Sequence, residues 1–145
     1  MKVKNDFRMT IDSRSVNENF SRSTVAAFAS QLDPTVDEIV DIKTAVSEAV
    51  TNCIVHAYPD SVGKIYIYSA ICENDTIKII VRDRGVGIDD VKQAMQPLFT
   101  TLGGERAGLG FAVMESFMDK VTVRSKKGRG TTVTMIKRIC GREEI

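Results

Sequence analysis

Residues 64–88 read KIYIYSAICENDTIKIIVRDRGVGI. Two β-branched and aromatic runs, Lys64–Cys72 and Thr76–Asp83, flank the polar triplet Glu73-Asn74-Asp75. Val, Ile and Tyr suit a pleated surface, and Asn and Asp tolerate the left-handed backbone of a tight turn. The stretch predicts a β-hairpin, which makes its strands antiparallel. The second run ends at Asp83-Arg84-Gly85-Val86-Gly87-Ile88. There an acceptor precedes two glycines, and the backbone must turn sharply or approach something closely.

Upstream of the hairpin, Ile39, Ile42, Val46, Ala49, Val50 and Cys53 recur at helical spacing up to about His56. Thr35 followed by Glu38 fits a capping box at the start of that helix, and Pro34 cannot continue the one before it. Tyr58-Pro59-Asp60 and Gly63 end it. Earlier, Val16, Phe20, Ala27, Phe28 and Leu32 mark an amphipathic helix over Ser15–Leu32, and Phe7, Met9 and Ile11 alternate as a half-buried first strand. Downstream come a short helix from Asp89 to Met95 and an aperiodic stretch, Gln96 to Ala107, read as a long mobile loop, functional or disordered. A helix over Leu109–Met118 and a last hairpin, Lys120–Ser125 with Thr131–Arg138, complete the order. Adjacent strands joined by tight turns predict a mixed, mostly antiparallel sheet with all helices on one face, an α+β two-layer sandwich.

A chain of 145 residues is expected to form one domain, 1–145, burying roughly 70% of its unfolded surface. Hydrophobic content of 43% with 27% charged residues is ordinary for a globular protein. The net charge of +1 argues against a dedicated nucleic-acid binder. Cys53, Cys72 and Cys140 form no CxxC pair, and the single His56 cannot build a metal site alone. No run approaches the roughly 18 apolar residues of a membrane span, and no apolar stretch follows the charged start. A cytoplasmic protein with no membrane partner is expected.

Candidate chemistry sits in three segments. Glu48 and Asn52, four residues apart, point from one helix face. An amide oxygen at Asn52 suits Mg²⁺, which keeps several waters and takes few protein ligands. A carboxylate at Glu48 can take a proton from an attacking hydroxyl. The same pattern also fits a solvated helix face. Asp83 ends an apolar strand, where it can accept the exocyclic amine of adenine, and Gly85 and Gly87 let the loop pass close to a base. An ordinary strand-ending turn has the same residues. Gly108 and Gly110 open an apolar helix whose backbone N–H groups can hold phosphates, with Arg106 beside them. Thr131, after Gly128-Arg129-Gly130, can reach a base edge or face solvent.

In this order the segments resemble the GHKL family of ATPases and kinases. Its N box is similar to Glu48–Asn52, its first glycine box to Asp83–Gly87 and its second to Gly108–Gly110. The resemblance implies the Bergerat fold, with Mg-ATP bound under a lid at about residues 96–107. A narrower resemblance, to the anti-sigma kinases of sporulation within that family, is carried by Ser47-Glu48-Ala49-Val50-Thr51-Asn52, Gln96-Pro97-Leu98-Phe99-Thr100-Thr101 and residues 110–119. The lid departs from that group at Leu102-Gly103-Gly104.

What the resemblance implies is a homodimeric serine kinase that holds the sporulation sigma factor F in an ATP-dependent complex. It would also phosphorylate a serine of an anti-anti-sigma factor, stage II sporulation protein AA. Carried over by position, Glu48 would be the base and Asn52 the Mg²⁺ ligand. Asp83, Gly85 and Gly87 would serve the adenine, and Thr100, Thr101, Arg106, Gly108 and Gly110 the lid and phosphates. Arg22 would dock the protein partners, although physics alone reads it as a solvent-facing arginine. Two alternatives stay open. One is a general-stress-type anti-sigma kinase, and the other an ATP-dependent sigma-binding module without relevant kinase activity.

Overall fold

The computed structural model describes residues 1–95 and 110–141. Five strands form one sheet: β1 (Val3–Asp12), β2 (Lys64–Cys72), β3 (Thr76–Asp83), β4 (Lys120–Lys126) and β5 (Gly130–Arg138). Their spatial order is β1-β2-β3-β5-β4, and every pairing is antiparallel. The helices are α1 (Val16–Ala29), α2 (Val36–Asn52), the single turn α3 (Val91–Ala94) and α4 (Phe111–Phe117).

The hairpin legible in residues 64–88 has the expected ends. Cys72 pairs with Thr76, and Asn74 and Asp75 take φ of 61° and 51° in the turn. Period-two alternation then decides the faces. On β2 and β3, Ile65, Ile67, Ile77, Ile79 and Val81 are buried. They join Val25 of α1, Ile42, Val46 and Val50 of α2, and Phe111 and Met114 of α4 in one core. Each such side chain contributes about 1.5–3 kcal/mol on leaving water. The opposite face carries Tyr66, Tyr68, Ile80, Arg8 and Arg82, with the Arg8 guanidinium 4.5 Å from the centre of the Tyr68 ring. The two-layer α+β sandwich is therefore as expected, with an antiparallel sheet.

Helix α1 stops at Ala29 rather than at Leu32. Residues Ser30–Leu32 tighten into a 3₁₀ turn, and Asp33 takes φ of 50° before Pro34. Helix α2 opens with the expected capping box: Thr35 Oγ1 accepts from the Glu38 N–H at 3.1 Å, and the Thr35 N–H donates to Glu38 Oε1 at 2.9 Å. Glu38 also accepts the N–H groups of Cys140 at 2.7 Å and Gly141 at 3.1 Å, which ties the far end of the chain to α2. After Asn52 the helix widens into a π turn over Cys53–Ala57, closed by the Tyr58 N–H donating to Cys53 O at 3.1 Å. Lys137 of β5 points to the helical side. Its Nζ donates to Phe117 O at 2.9 Å and lies 3.5 Å from Asp41 Oδ2.

Candidate nucleotide site

The π turn brings the end of α2 to the loop after β3. It leaves Ala57 O free of the helix ladder, and the Val86 N–H donates to it at 3.1 Å. Tyr58 Oη holds the same loop from its other end, donating to Lys64 O and accepting the Arg84 N–H, both at 2.7 Å. The last hairpin closes the third side. Gly87 needs its φ of 77°, and a Cβ there would lie 2.2 Å from Lys126 O. The Gly128 N–H donates to Val86 O at 2.7 Å, and the Ile88 N–H donates to Ser125 Oγ at 2.8 Å.

Asp83 sits where these parts meet, 5% exposed. Its Oδ1 accepts the N–H of Gly85 at 2.9 Å and of Thr131 at 3.2 Å. Its Oδ2 faces Cys53 Sγ at 3.5 Å. Burial pushes the Asp83 carboxyl above its ordinary range, and the three donors oppose that shift. Burial and the adjacent carboxylate push the Cys53 thiol well up, so it stays protonated and donates. A cavity opens above this cluster, lined among others by Asn52, His56, Asp83, Ile88, Phe111 and Thr131. The cavity measures ≈ 30 Å³.

Glu48 lies one helical turn before Asn52 and touches the start of α4. Gly110 takes φ of 69°, and a Cβ there would stand 2.2 Å from Glu48 Oε2. Burial, and secondarily the charge of Glu18, raises the Glu48 pKa. On its outer side Glu48 joins Arg22, Val40, Lys43, Thr44 and Ser47 along an open groove. Arg22 donates to Glu18 Oε1 at 3.2 Å and to Ser47 Oγ at 3.3 Å, and Ser47 Oγ also donates to Glu18. Arg22 is therefore partly held against α2 rather than extended into solvent.

Asn52, Asp83, Gly87 and Thr131 thus line one cavity, Gly85 donates to Asp83 beside it, and Glu48 meets Gly110 next to the cavity-lining Phe111. Thr100, Thr101, Arg106, Gly108 and the lid at about 96–107 lie outside the described residues. Sequence reasoning gave Cys53 no role beyond the apolar face of its helix and denied His56 a metal site of its own, yet both line the cavity. It passed over Ser125, whose position opposite Thr131 follows from the hairpin register. Asn52 carries an amide oxygen of the kind Mg²⁺ accepts, and no cluster of three or more His, Cys, Asp or Glu forms among the described residues.

Known proteins place the chain. The histidine kinase-like ATPase domain model matches residues 12–137. The anti-sigma F factor of Caldanaerobacter subterraneus subsp. tengcongensis is 57% identical over 140 residues, covering 96% of this chain and 97% of that protein. That of Geobacillus stearothermophilus is 49% identical over 144 residues, covering 99% of each. Among solved structures, the RsbU and RsbW domains of a Mycobacterium tuberculosis protein superpose with a TM-score of 0.67 at 20% identity, over 94% of this chain and 32% of that one. The histidine kinase domain of the Erythrobacter litoralis EL346 blue-light activated kinase gives 0.58 at 19% identity, over 84% and 61%. Those two likenesses speak for the fold alone, and the curated relatives carry the assignment. The chain belongs to the anti-sigma F factor family of histidine kinase-like ATPases.

Proposed function

We propose that this chain is an ATP-dependent anti-sigma factor and a protein-serine kinase. It holds the sporulation sigma factor F and phosphorylates a serine of the anti-anti-sigma factor, stage II sporulation protein AA, as a cytoplasmic homodimer. The observation that supports the kinase reading is the double placement of Glu48. Its carboxylate abuts Gly110 at the rim of the nucleotide cavity, and the same side chain lines the outer groove beside Arg22. A serine arriving along that groove meets the base and the nucleotide together.

Asp83 and Thr131 receive the adenine edge, with Gly85 and Gly87 giving the base close approach. Asn52 offers its amide oxygen to Mg²⁺, which when bound offsets the charge of the phosphates. Gly110 supports the phosphate side, where Thr100, Thr101, Arg106 and Gly108 are assigned by family position. The seryl oxygen attacks the γ-phosphorus, its proton passes to Glu48, and the bond to the β-phosphate oxygen breaks to release ADP. The raised pKa makes Glu48 a stronger base than a solvated glutamate. Lys43, with Arg22 paired to Glu18, gives the groove cationic groups beside Glu48 for polar contacts with the docked protein.

Transfer of labelled phosphate from Mg-ATP to the purified anti-anti-sigma partner tests this, with Glu48→Ala alongside. We expect incorporation on one serine that falls by about 10²–10⁴-fold in the variant while ATP still binds. No incorporation by the wild type, with ATP bound, would leave the reading of an ATP-dependent binding module. Titration against sigma factor F and a general-stress sigma factor separates the sporulation role from the general-stress one.

A further inference from the structure

Tyr58 is set back from the cavity, yet three segments meet on it. Its N–H donates to Cys53 O and closes the π turn. Its hydroxyl has one proton and two lone pairs. The proton goes to Lys64 O at the start of β2, and a lone pair takes the Arg84 N–H just past the end of β3, both at 2.7 Å. The ring lies on the backbone of Gly63, where a Cβ would stand 2.3 Å from Tyr58 Cε1. Gly63 is itself fixed to the segment before α1. Its N–H donates to Ser13 Oγ and its O accepts the Ser13 N–H, both at 2.9 Å.

The other N–H groups of this loop are held elsewhere. That of Gly85 turns back to Asp83 Oδ1, and that of Val86 goes to Ala57 O. The Arg84 N–H is the tie from the loop to β2, and the Tyr58 hydroxyl is its middle. Both bonds lie near the surface, so water can replace the hydroxyl as a partner of either group. Separate waters would satisfy Lys64 O and the Arg84 N–H without holding them at a fixed spacing. What the hydroxyl adds is placement.

We propose that Tyr58 is a positioning residue for nucleotide binding, its hydroxyl holding the loop after β3 in the place where ATP meets it. This rests on the nucleotide reading above. A loop already in place loses less freedom when the ligand arrives, so the bridge contributes to affinity. Glu48 and Gly110 take no part in it, so transfer from bound ATP is left alone.

Equilibrium binding of Mg-ATP to Tyr58→Phe tests the proposal, with Thr35→Ala as the control. Tyr58→Phe keeps the ring on Gly63 and removes the bridge. It should weaken ATP by about three- to tenfold, while transfer at saturating ATP stays within about twofold of wild type. Amide exchange at Gly85 and Val86 without nucleotide should quicken in the same variant. Thr35→Ala loosens the opposite end of α2 and should change neither ATP affinity nor exchange at these two amides. Unchanged ATP affinity in Tyr58→Phe, whatever its Tm, would overturn the proposal. So would an equal loss of affinity in Thr35→Ala, which would trace the effect to general stability. Wild-type protein that binds no ATP would overturn the nucleotide reading itself, and this inference with it.

Discussion

Gly110→Ala probes the contact between α4 and the base directly. Gly110 holds φ of 69°, and a non-glycine residue there costs about 1–2 kcal/mol in backbone strain. The new methyl would stand 2.2 Å from Glu48 Oε2 and 3.1 Å from both Glu48 Cβ and Cδ. Ordinary carbon contacts lie at about 3.5–4.0 Å, so the carboxylate must retreat by roughly an ångström or more. A misplacement of that size costs about 10²-fold in a reaction that depends on alignment. The expected result is a Tm lower by about 3–8 °C and single-turnover phosphoryl transfer slower by about 10²-fold. Gly128→Ala is the control. Gly128 has φ of 80° with nothing within 4 Å of an added Cβ, so it brings the strain without the collision. It should lose similar stability and keep transfer within about threefold of wild type. Full transfer in Gly110→Ala, with the Tm loss present, would refute the reasoning that this contact sets the base.

Glu48→Gln should show a pH-dependent gain in stability. The folded chain holds the Glu48 proton more tightly than the unfolded chain does, so this group's contribution falls as pH rises from its ordinary 4.5 toward the raised folded value. The variant's Tm advantage should be absent below that window and level off above it in thermal melts, and a difference flat in pH would count against the shift. Thr35→Ala removes one half of the capping box and should cost about 1 kcal/mol by urea unfolding. Glu38→Ala removes the acceptor for Thr35, Cys140 and Gly141 together and should cost about 2 kcal/mol; equal losses in the two variants would show that the carboxylate adds nothing beyond the cap.

What the sequence showed plainly was local. The strands of residues 64–83 and the turn between them depend on side-chain alternation and on Asn and Asp in a left-handed turn, both written in adjacent residues. The capping box is legible for the same reason. The π turn at Cys53–Ala57 was not, because residues 53–57 continue the helical pattern. The turn's partner is the loop after β3, far along the chain, whose Val86 N–H meets Ala57 O. Cys53 likewise looks inert in the sequence, and it becomes a donor to Asp83 only once helix and sheet are packed. Ser125 needs the hairpin register before it stands opposite Thr131. The gathering of Asn52, Asp83, Gly87 and Thr131 at one cavity was expected from family order, since nothing in their spacing alone joins them.

Lys137 has a mechanical consequence. Its ammonium group grips the carbonyl of Phe117, the last residue of α4, and leans on Asp41 of α2. The helix is thereby pinned at the end remote from the nucleotide cavity, while its other end rests on Glu48. A change at Lys137 would therefore loosen α4 from its far end, opposite the contact with Glu48.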